Sequence, residues 1–151
     1  MSQRGSGYAR KELDLYETPA WVTHALREHL PDHVRHIWEP ACGSGKMVSA
    51  LEEWGVQISR SDISRNQDFF QFATCEADGI VTNPPYSEAA RFIEHALALT
   101  KSSAGFVAML LRTDFDHAKS RQHLFGGCPQ FAKKVVLTKR IRWFEESIGQ
   151  P

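Results

Sequence analysis

The sequence predicts an α/β fold, a mostly parallel sheet with helices on both faces. Short strand-like runs alternate with amphipathic helical stretches, and several runs, residues 79–82 and 105–111 among them, are apolar along all or nearly all of their length. Continuous apolar runs of this kind belong to strands buried on both faces. The two unusual loops of the chain, residues 39–45 and 83–86, each follow a strand. In open parallel sheets, ligands lie beyond the carboxyl ends of the strands, where the strand order reverses. Both loops are therefore expected on one edge of the sheet.

Taken in order, residues 1–12 are polar and rich in Gly and Ser, and are expected to be a flexible segment ahead of a single domain over 13–151. Thr18 is placed to cap a first helix, with Pro19 at its first position. Trp21, Val22, Ala25, Leu26 and Leu30 form the apolar stripe, and Pro31 stops it. His36-Ile37-Trp38 leads as a strand into the glycine loop. Residues 46–54 read as a helix with Gly55 as its C-cap, and 56–63 as a strand ending near Asp62. Asp68-Phe69-Phe70 is a short connection with a brief strand, and 79–82 a buried strand. Ser87 is placed to cap a helix to about Thr100, with Phe92, Ile93, Ala96 and Leu97 on its buried side. After the strand at 105–111, residues 114–125 read as a helix ended by Gly126-Gly127. Val135-Val136-Leu137 and Ile141-Arg142-Trp143-Phe144 read as strands.

A chain of 151 residues buries a core without staples, and 42% apolar with 24% charged residues is ordinary for a globular domain. No apolar run approaches the roughly 20 residues that span a bilayer. The first residues hold no apolar signal region, so a cytoplasmic chain is expected. Cys42, Cys75 and Cys128 are odd in number and lack C-x-x-C spacing, which predicts free thiols. Net charge is zero but uneven. Residues 1–100 hold 9 Lys/Arg and 14 Asp/Glu, whereas 101–151 hold 9 and 4. The basic end suits a polyanion-facing surface or an ordinary solvated face.

Asn83-Pro84-Pro85-Tyr86 is the most informative stretch. Two prolines lack N–H groups and fix φ near −65°, and they push Asn83 into an extended conformation. The result is a stiff loop presenting an amide, backbone carbonyls and one aromatic face, suited to a planar molecule that carries an amino group. The glycine loop upstream fits neither common phosphate pattern. Read as G-x-x-x-x-G-K-[ST], it has Pro40 and Met47 at the first and last positions. Read as G-x-G-x-x-G, it has Val48 at the third glycine. A purely structural turn is the remaining reading from spacing alone.

Glu39-Pro40-Ala41-Cys42-Gly43-Ser44-Gly45 resembles, at every position, the [DE]-P-A-C-G-[ST]-G loop of class I S-adenosylmethionine-dependent methyltransferases. Asn83-Pro84-Pro85-Tyr86 resembles the [DNS]-P-P-[YFW] catalytic loop of the amino-methyltransferases among them, and Tyr16-Glu17-Thr18-Pro19 is similar to their upstream Y-x-T-P segment. The resemblance covers about residues 13–112 and implies a Rossmann-like, doubly wound fold with S-adenosyl-L-methionine as cofactor. It implies that Asn83 Oδ1 and the Pro84 carbonyl accept from the substrate amine while Tyr86 stacks on its ring; a core aromatic is the other reading of Tyr86. For the cofactor it implies the backbone of Ala41, Cys42, Gly43 and Gly45 near the methionine moiety, Glu39 for its ammonium group, and Tyr16 and Thr18 over its tail. Asp62 would take the ribose hydroxyls, Ile63 the adenine face, and Asp68 with the Phe69 N–H the adenine edge. Asp68-Phe69-Phe70 also reads as a turn with core aromatics.

The acceptor that the resemblance favours is N6 of adenine in DNA, in the cytoplasm of a bacterial or phage-infected cell. An RNA base, a protein glutamine, or a non-catalytic binding module are the alternatives. Only 37 residues separate Gly45 from Asn83 and 65 follow Tyr86, which leaves no room for a separate recognition domain, as in compact phage-type DNA adenine methyltransferases. Residues 113–134 or a partner would then supply specificity. Such sheets end in an antiparallel hairpin, of which 135–144 resembles only the first arm. A homodimer, another partner chain or a longer natural protein is expected to complete the edge. His24, His29, His33 and His36 cluster near a helix end without matching Cys or Glu and read as surface histidines, so no metal site is expected. Arg112 and Arg121 are candidates for phosphate contact or are simply solvated.

Overall fold

The computed structural model describes residues 17–143. Three α-helices, α1 (Ala20–Leu26), α2 (Lys46–Glu52) and α3 (Ala89–Thr100), are interleaved with four strands, β1 (His36–Glu39), β2 (Gln57–Arg60), β3 (Gly79–Thr82) and β4 (Phe106–Met109), and only 3-10 turns lie between β2 and β3. The expected α/β class is present: the strands form one sheet in the order β2-β1-β3-β4, and every neighbouring pair is parallel. The chain lays β2 on one side of β1 and then crosses to place β3 on the other. The reversal therefore falls between β1 and β3. The flexible segment expected at 1–12, like Tyr16 and Phe144, lies outside the described residues.

Alternation along the strands builds two cores. Ile37 and Val81 join Met47 and Leu51 of α2 and Val34, with Leu26 and Leu30 at the margin. Trp38 and Ile80 join Phe92 and Ala96 of α3 together with Phe69 and Ala77. The pairing of Trp38 with Ile80 in register puts both on one face. At the amino ends of the strands, Asp78 Oδ2 accepts the N–H groups of Arg35 (2.7 Å) and His36 (2.9 Å), which fixes where β1 begins.

Gly79 pairs across the sheet with Phe106, whose ring packs over its bare Cα; a Cβ at Gly79 would overlap that ring. Gly79→Ala is accordingly expected to cost about 1–3 kcal/mol, the range typical of overpacking a core. Urea denaturation checks this, and an unchanged midpoint would show that the Phe106 ring yields freely.

Several local expectations are corrected. Thr18 does not cap α1: Pro19 occupies the N-cap position and no side chain caps the helix. Past Leu26 the helix tightens into a 3-10 turn, Arg27–His29. Ser87 lies inside a 3-10 turn, Tyr86–Glu88, with Glu88 at the N-cap of α3. Residues 69–71 form a 3-10 turn instead of a strand. The helix expected over 114–125 is two 3-10 turns, Phe115–His117 and Lys119–Leu124, parted by an extended Ala118. Phe115 and Leu124 lie nine residues apart, which puts them on opposite sides of a continuous helix at about 100° per residue. Breaking at Ala118 lets both enter one core cluster with Ala89 and Ile93.

The strands expected at 135–137 and 141–144 do not form within the described residues. Val135 and Val136 are 40% and 56% exposed. Side chains, not a backbone ladder, tether this segment. Lys134 Nζ donates to the Thr113 carbonyl (2.9 Å) and the Asp116 carboxylate, and Lys139 sits over the Trp21 ring at 5.3 Å. No helix among the described residues is long and apolar enough to cross a membrane.

Candidate functional site

β1 delivers Glu39 and Pro40 into a tight turn. Gly45 N–H donates to the Cys42 carbonyl (2.8 Å) and Cys42 N–H to the Ser61 carbonyl (3.0 Å). Gly43 and Gly45 have φ of +50° and +94°, left-handed values that favour glycine, and Gly45 is the N-cap of α2. A Cβ on Gly43 would meet no atom within 4 Å, so at this position backbone conformation, not crowding, selects the residue.

Asp62 ties this turn to the end of β2. Its Oδ2 accepts Gly43 N–H (2.8 Å) and its Oδ1 accepts Ser64 N–H (2.9 Å). Burial pushes the Asp62 carboxyl up, but the hydrogen bonds from Ser64 and Gly43 and the nearby Arg65 charge outweigh it and hold the group below the usual aspartate value. Asp62 is thus a fixed anion at neutral pH. Ile63 follows it with its side chain 54% exposed, an apolar surface on the rim of the turn.

Glu39 is buried at 2% exposure, and its Oε1 accepts both the Ala41 N–H (2.9 Å) and the Thr82 hydroxyl. Burial raises its pKa to about 7, against the lowering effect of those two hydrogen bonds and with a smaller push from Asp62. Cys42, buried beside them, has its thiol pushed up by burial and then by the Glu39 and Asp62 charges, and so is poorly suited to act as a nucleophile.

Thr82 is the last residue of β3, and the next is Asn83. The Asn83 Nδ2 donates to Thr18 Oγ1 at 3.2 Å, which turns the Oδ1 end of the amide the other way. Pro84 is buried, and Tyr86 is half-buried at the start of its 3-10 turn. Glu17, next to Thr18, accepts from Ser44 Oγ (2.7 Å) and lies 3.2 Å from Lys46 Nζ. Residues 17 and 18 therefore lie across both loops. An open cavity of about 2300 Å³ between α1, β4 and the segment after Cys128 reaches Thr82 and Tyr86, with Lys133, Arg140 and Arg142 among its walls.

Direct hydrogen bonds thus pair Thr18 with Asn83, Ala41 with Glu39 and Gly43 with Asp62, and Thr82 ties Glu39 to the residue before Asn83; Cys42, Gly45, Pro84 and Tyr86 lie in the same two loops. Asp68 and Phe69 stand apart from that network. Asp68 Oδ1 accepts the Phe70 N–H (3.0 Å) and caps the 3-10 turn. Phe69 is 2% exposed, stacked on Phe92 at 4.8 Å and edge-on to Trp38. Of the two readings of this stretch, turn with core aromatics describes its side chains.

Other candidates are corrected too. His24 is half-buried and joins α1 to α2, accepting from Trp54 Nε1 (3.0 Å) and lying 3.0 Å from Glu53. His36 is half-buried against Ser59. Neither is a simple surface histidine. No group of three potential metal ligands occurs among the described residues. Arg121 donates to the Phe115 carbonyl (3.1 Å) and stacks on that ring at 3.9 Å, so its guanidinium serves the fold. Arg112 is exposed beside Asp114.

Sequence reasoning missed Thr82, Glu17, Ser44 and Ser64. Thr82 had a signal, since it is the one hydroxyl in the buried run Gly79-Ile80-Val81-Thr82. No protein-family model matches this chain, and comparison with curated proteins and with solved structures gives no match.

Proposed function

We propose that the chain is an S-adenosylmethionine-dependent N-methyltransferase acting on an exocyclic amino group, N6 of adenine in DNA before other acceptors. The observation that carries the reading is the convergence of the two loops at the strand reversal: Asp62 and Glu39 hold the glycine turn, and Glu39 also contacts Thr82, the residue before Asn83. A Rossmann-like, doubly wound description goes with it, supported by the order β2-β1-β3-β4 and by core clusters on opposite faces of the strands.

The donor set suits the cofactor. Glu39 is a buried acid of the right sign for an ammonium group. The left-handed backbone at Gly43 and Gly45 carries no Cβ. Asp62 uses one acceptor site on each oxygen for Gly43 and Ser64, and a carboxylate has about four in all. Ile63 offers an exposed apolar surface next to it. Bound there, S-adenosylmethionine would supply an electrophilic methyl group on a sulfonium.

The chain's own residues would do the rest. An aromatic amine is a weak nucleophile because its lone pair is delocalised into the ring. Hydrogen bonds from its N–H groups to Asn83 Oδ1 and the Pro84 carbonyl draw the nitrogen toward sp³ geometry and stabilise the charge that develops on it. Stacking on Tyr86, worth ~1–3 kcal/mol for a base, holds the ring in place. The double proline keeps these groups in one arrangement before substrate arrives. A base would have to leave its stack to reach this loop. The cations along the cavity that reaches Tyr86 favour a nucleic acid as its carrier.

Labelled-methyl transfer to double-stranded DNA, single-stranded DNA, RNA and protein extract tests the reading. Transfer to DNA, with label recovered as N6-methyladenine, is the expected result. Label only in RNA or protein would move the acceptor, and cofactor binding without transfer to any of them would favour a binding module.

A further inference from the structure

Among the described residues Thr82 is the only one whose side chain bonds to the acid of the glycine loop from the strand that carries Asn83. It is fully buried, and its hydroxyl donates to Glu39 Oε1, the atom that also accepts the Ala41 N–H at 2.9 Å. Such a buried threonine has two ordinary ways to satisfy its hydroxyl, a nearby main-chain carbonyl or a carboxylate. Thr100 takes the first, donating to the Ala96 carbonyl one helical turn back at 2.8 Å. Thr82 takes the second and spans 43 residues of sequence. A hydrogen bond to an ionised acceptor is stronger than one to a neutral acceptor. The strength of the Thr82 contact therefore depends on the charge of Glu39.

We infer that Thr82 is a positioning residue that couples the two half-sites: the charge on Glu39, set by what binds the glycine loop, governs how firmly the backbone at Thr82 holds the Asn83 amide. Asn83 is fixed at its other end by Thr18, so a change at residue 82 is felt against a fixed point. A cationic group bound at Glu39 would favour the carboxylate, tighten the Thr82 bond and set Asn83 in its working orientation. Coupling of this kind is reciprocal. The titratable groups facing Glu39 are Asp62 and Cys42. Asp62 stays ionised and the Cys42 thiol stays protonated through neutral pH, so Glu39 is the member of the group that changes charge there.

The importance of the coupling rests on the methyltransferase reading, but the coupling itself can be read without cofactor. In the full chain, the side-chain carboxyl ¹³C signal of Glu39 and the side-chain amide signal of Asn83 are followed by NMR from pH 5 to pH 9, as order-of-magnitude limits around neutrality. Both are expected to move together with a midpoint of about 7. Thr82→Val should raise the Glu39 midpoint and uncouple the Asn83 signal from it, whereas Thr82→Ser should keep both. An Asn83 signal indifferent to Glu39, or a Thr82→Ser variant as altered as Thr82→Val, would overturn the inference.

Binding of S-adenosylhomocysteine is measured beside it. If the wild-type chain fails to bind, the methyltransferase reading fails while the NMR result still decides the coupling. If it binds and transfers, Thr82→Val should lower turnover about three- to tenfold, the loss typical of one buried hydrogen bond, and Thr82→Ser should restore it.

Discussion

Asn83→Ala is expected to lower methyl transfer about 10²- to 10³-fold, the usual effect of removing one group that stabilises charge in a transition state. Cofactor affinity should fall by much less, only by what the Thr82 coupling transmits, because Asp62, Glu39 and its own backbone bonds hold the glycine turn and, among the described residues, no hydrogen bond joins that turn to Asn83. The Asn83 amide has two ends with different duties. Nδ2 donates to Thr18 at 3.2 Å, while Oδ1 is the proposed acceptor for the substrate amine. Asn83→Asp separates them, since it keeps an acceptor and loses the donor to Thr18. It should retain more transfer than Asn83→Ala and lose part of the orientation that Thr18 provides. Single-turnover transfer together with calorimetric cofactor binding gives both quantities. Equal loss of affinity and turnover in Asn83→Ala would mean that the loop shapes the cofactor pocket and leaves the acceptor to other groups.

The parts of this site legible in sequence are those in which one residue type has one conformational use. Gly79–Thr82 was readable to the residue because an apolar run is bounded by a glycine and by two prolines that cannot continue a ladder. The turn at Gly43 and Gly45 was readable because left-handed backbone favours glycine. Residues whose role depends on a distant partner were not legible. Thr18 looked like a helix cap because Pro19 follows it, yet its hydroxyl meets Asn83, 65 positions away. The failed strand at 135–137 shows the same limit from the other side. Local β-propensity was present, but Lys134 and Lys139 fix the segment to Asp116 and Trp21, away from any ladder. Tertiary context decided each case.

Glu39→Gln should trade function for stability, with a pH dependence whose sign follows from the site. In the folded chain the Glu39 carboxyl keeps its proton up to about 7, against an ordinary value of 4.5. Between those values the unfolded chain releases the proton while the folded chain holds it, so wild-type stability falls as pH rises through this window and levels off above it. Glutamine does not titrate, and its Oε1 can still accept from Thr82 and Ala41. The stability of the variant relative to wild type is therefore expected to grow by about 3 kcal/mol from below pH 4.5 to above pH 7. Cofactor binding should move the opposite way, because a neutral amide cannot offset an ammonium charge. Denaturation midpoints measured across this pH range check the first half, and S-adenosylhomocysteine affinity the second. A constant stability gap would show that Glu39 does not change charge in this range. A variant that gained stability and kept full affinity would remove Glu39 from the cofactor side of the site. The folded chain retains a buried acid that costs it stability at neutral pH, and the charge it can present to a cation beside the glycine turn is a functional reason for a residue that packing alone would not select.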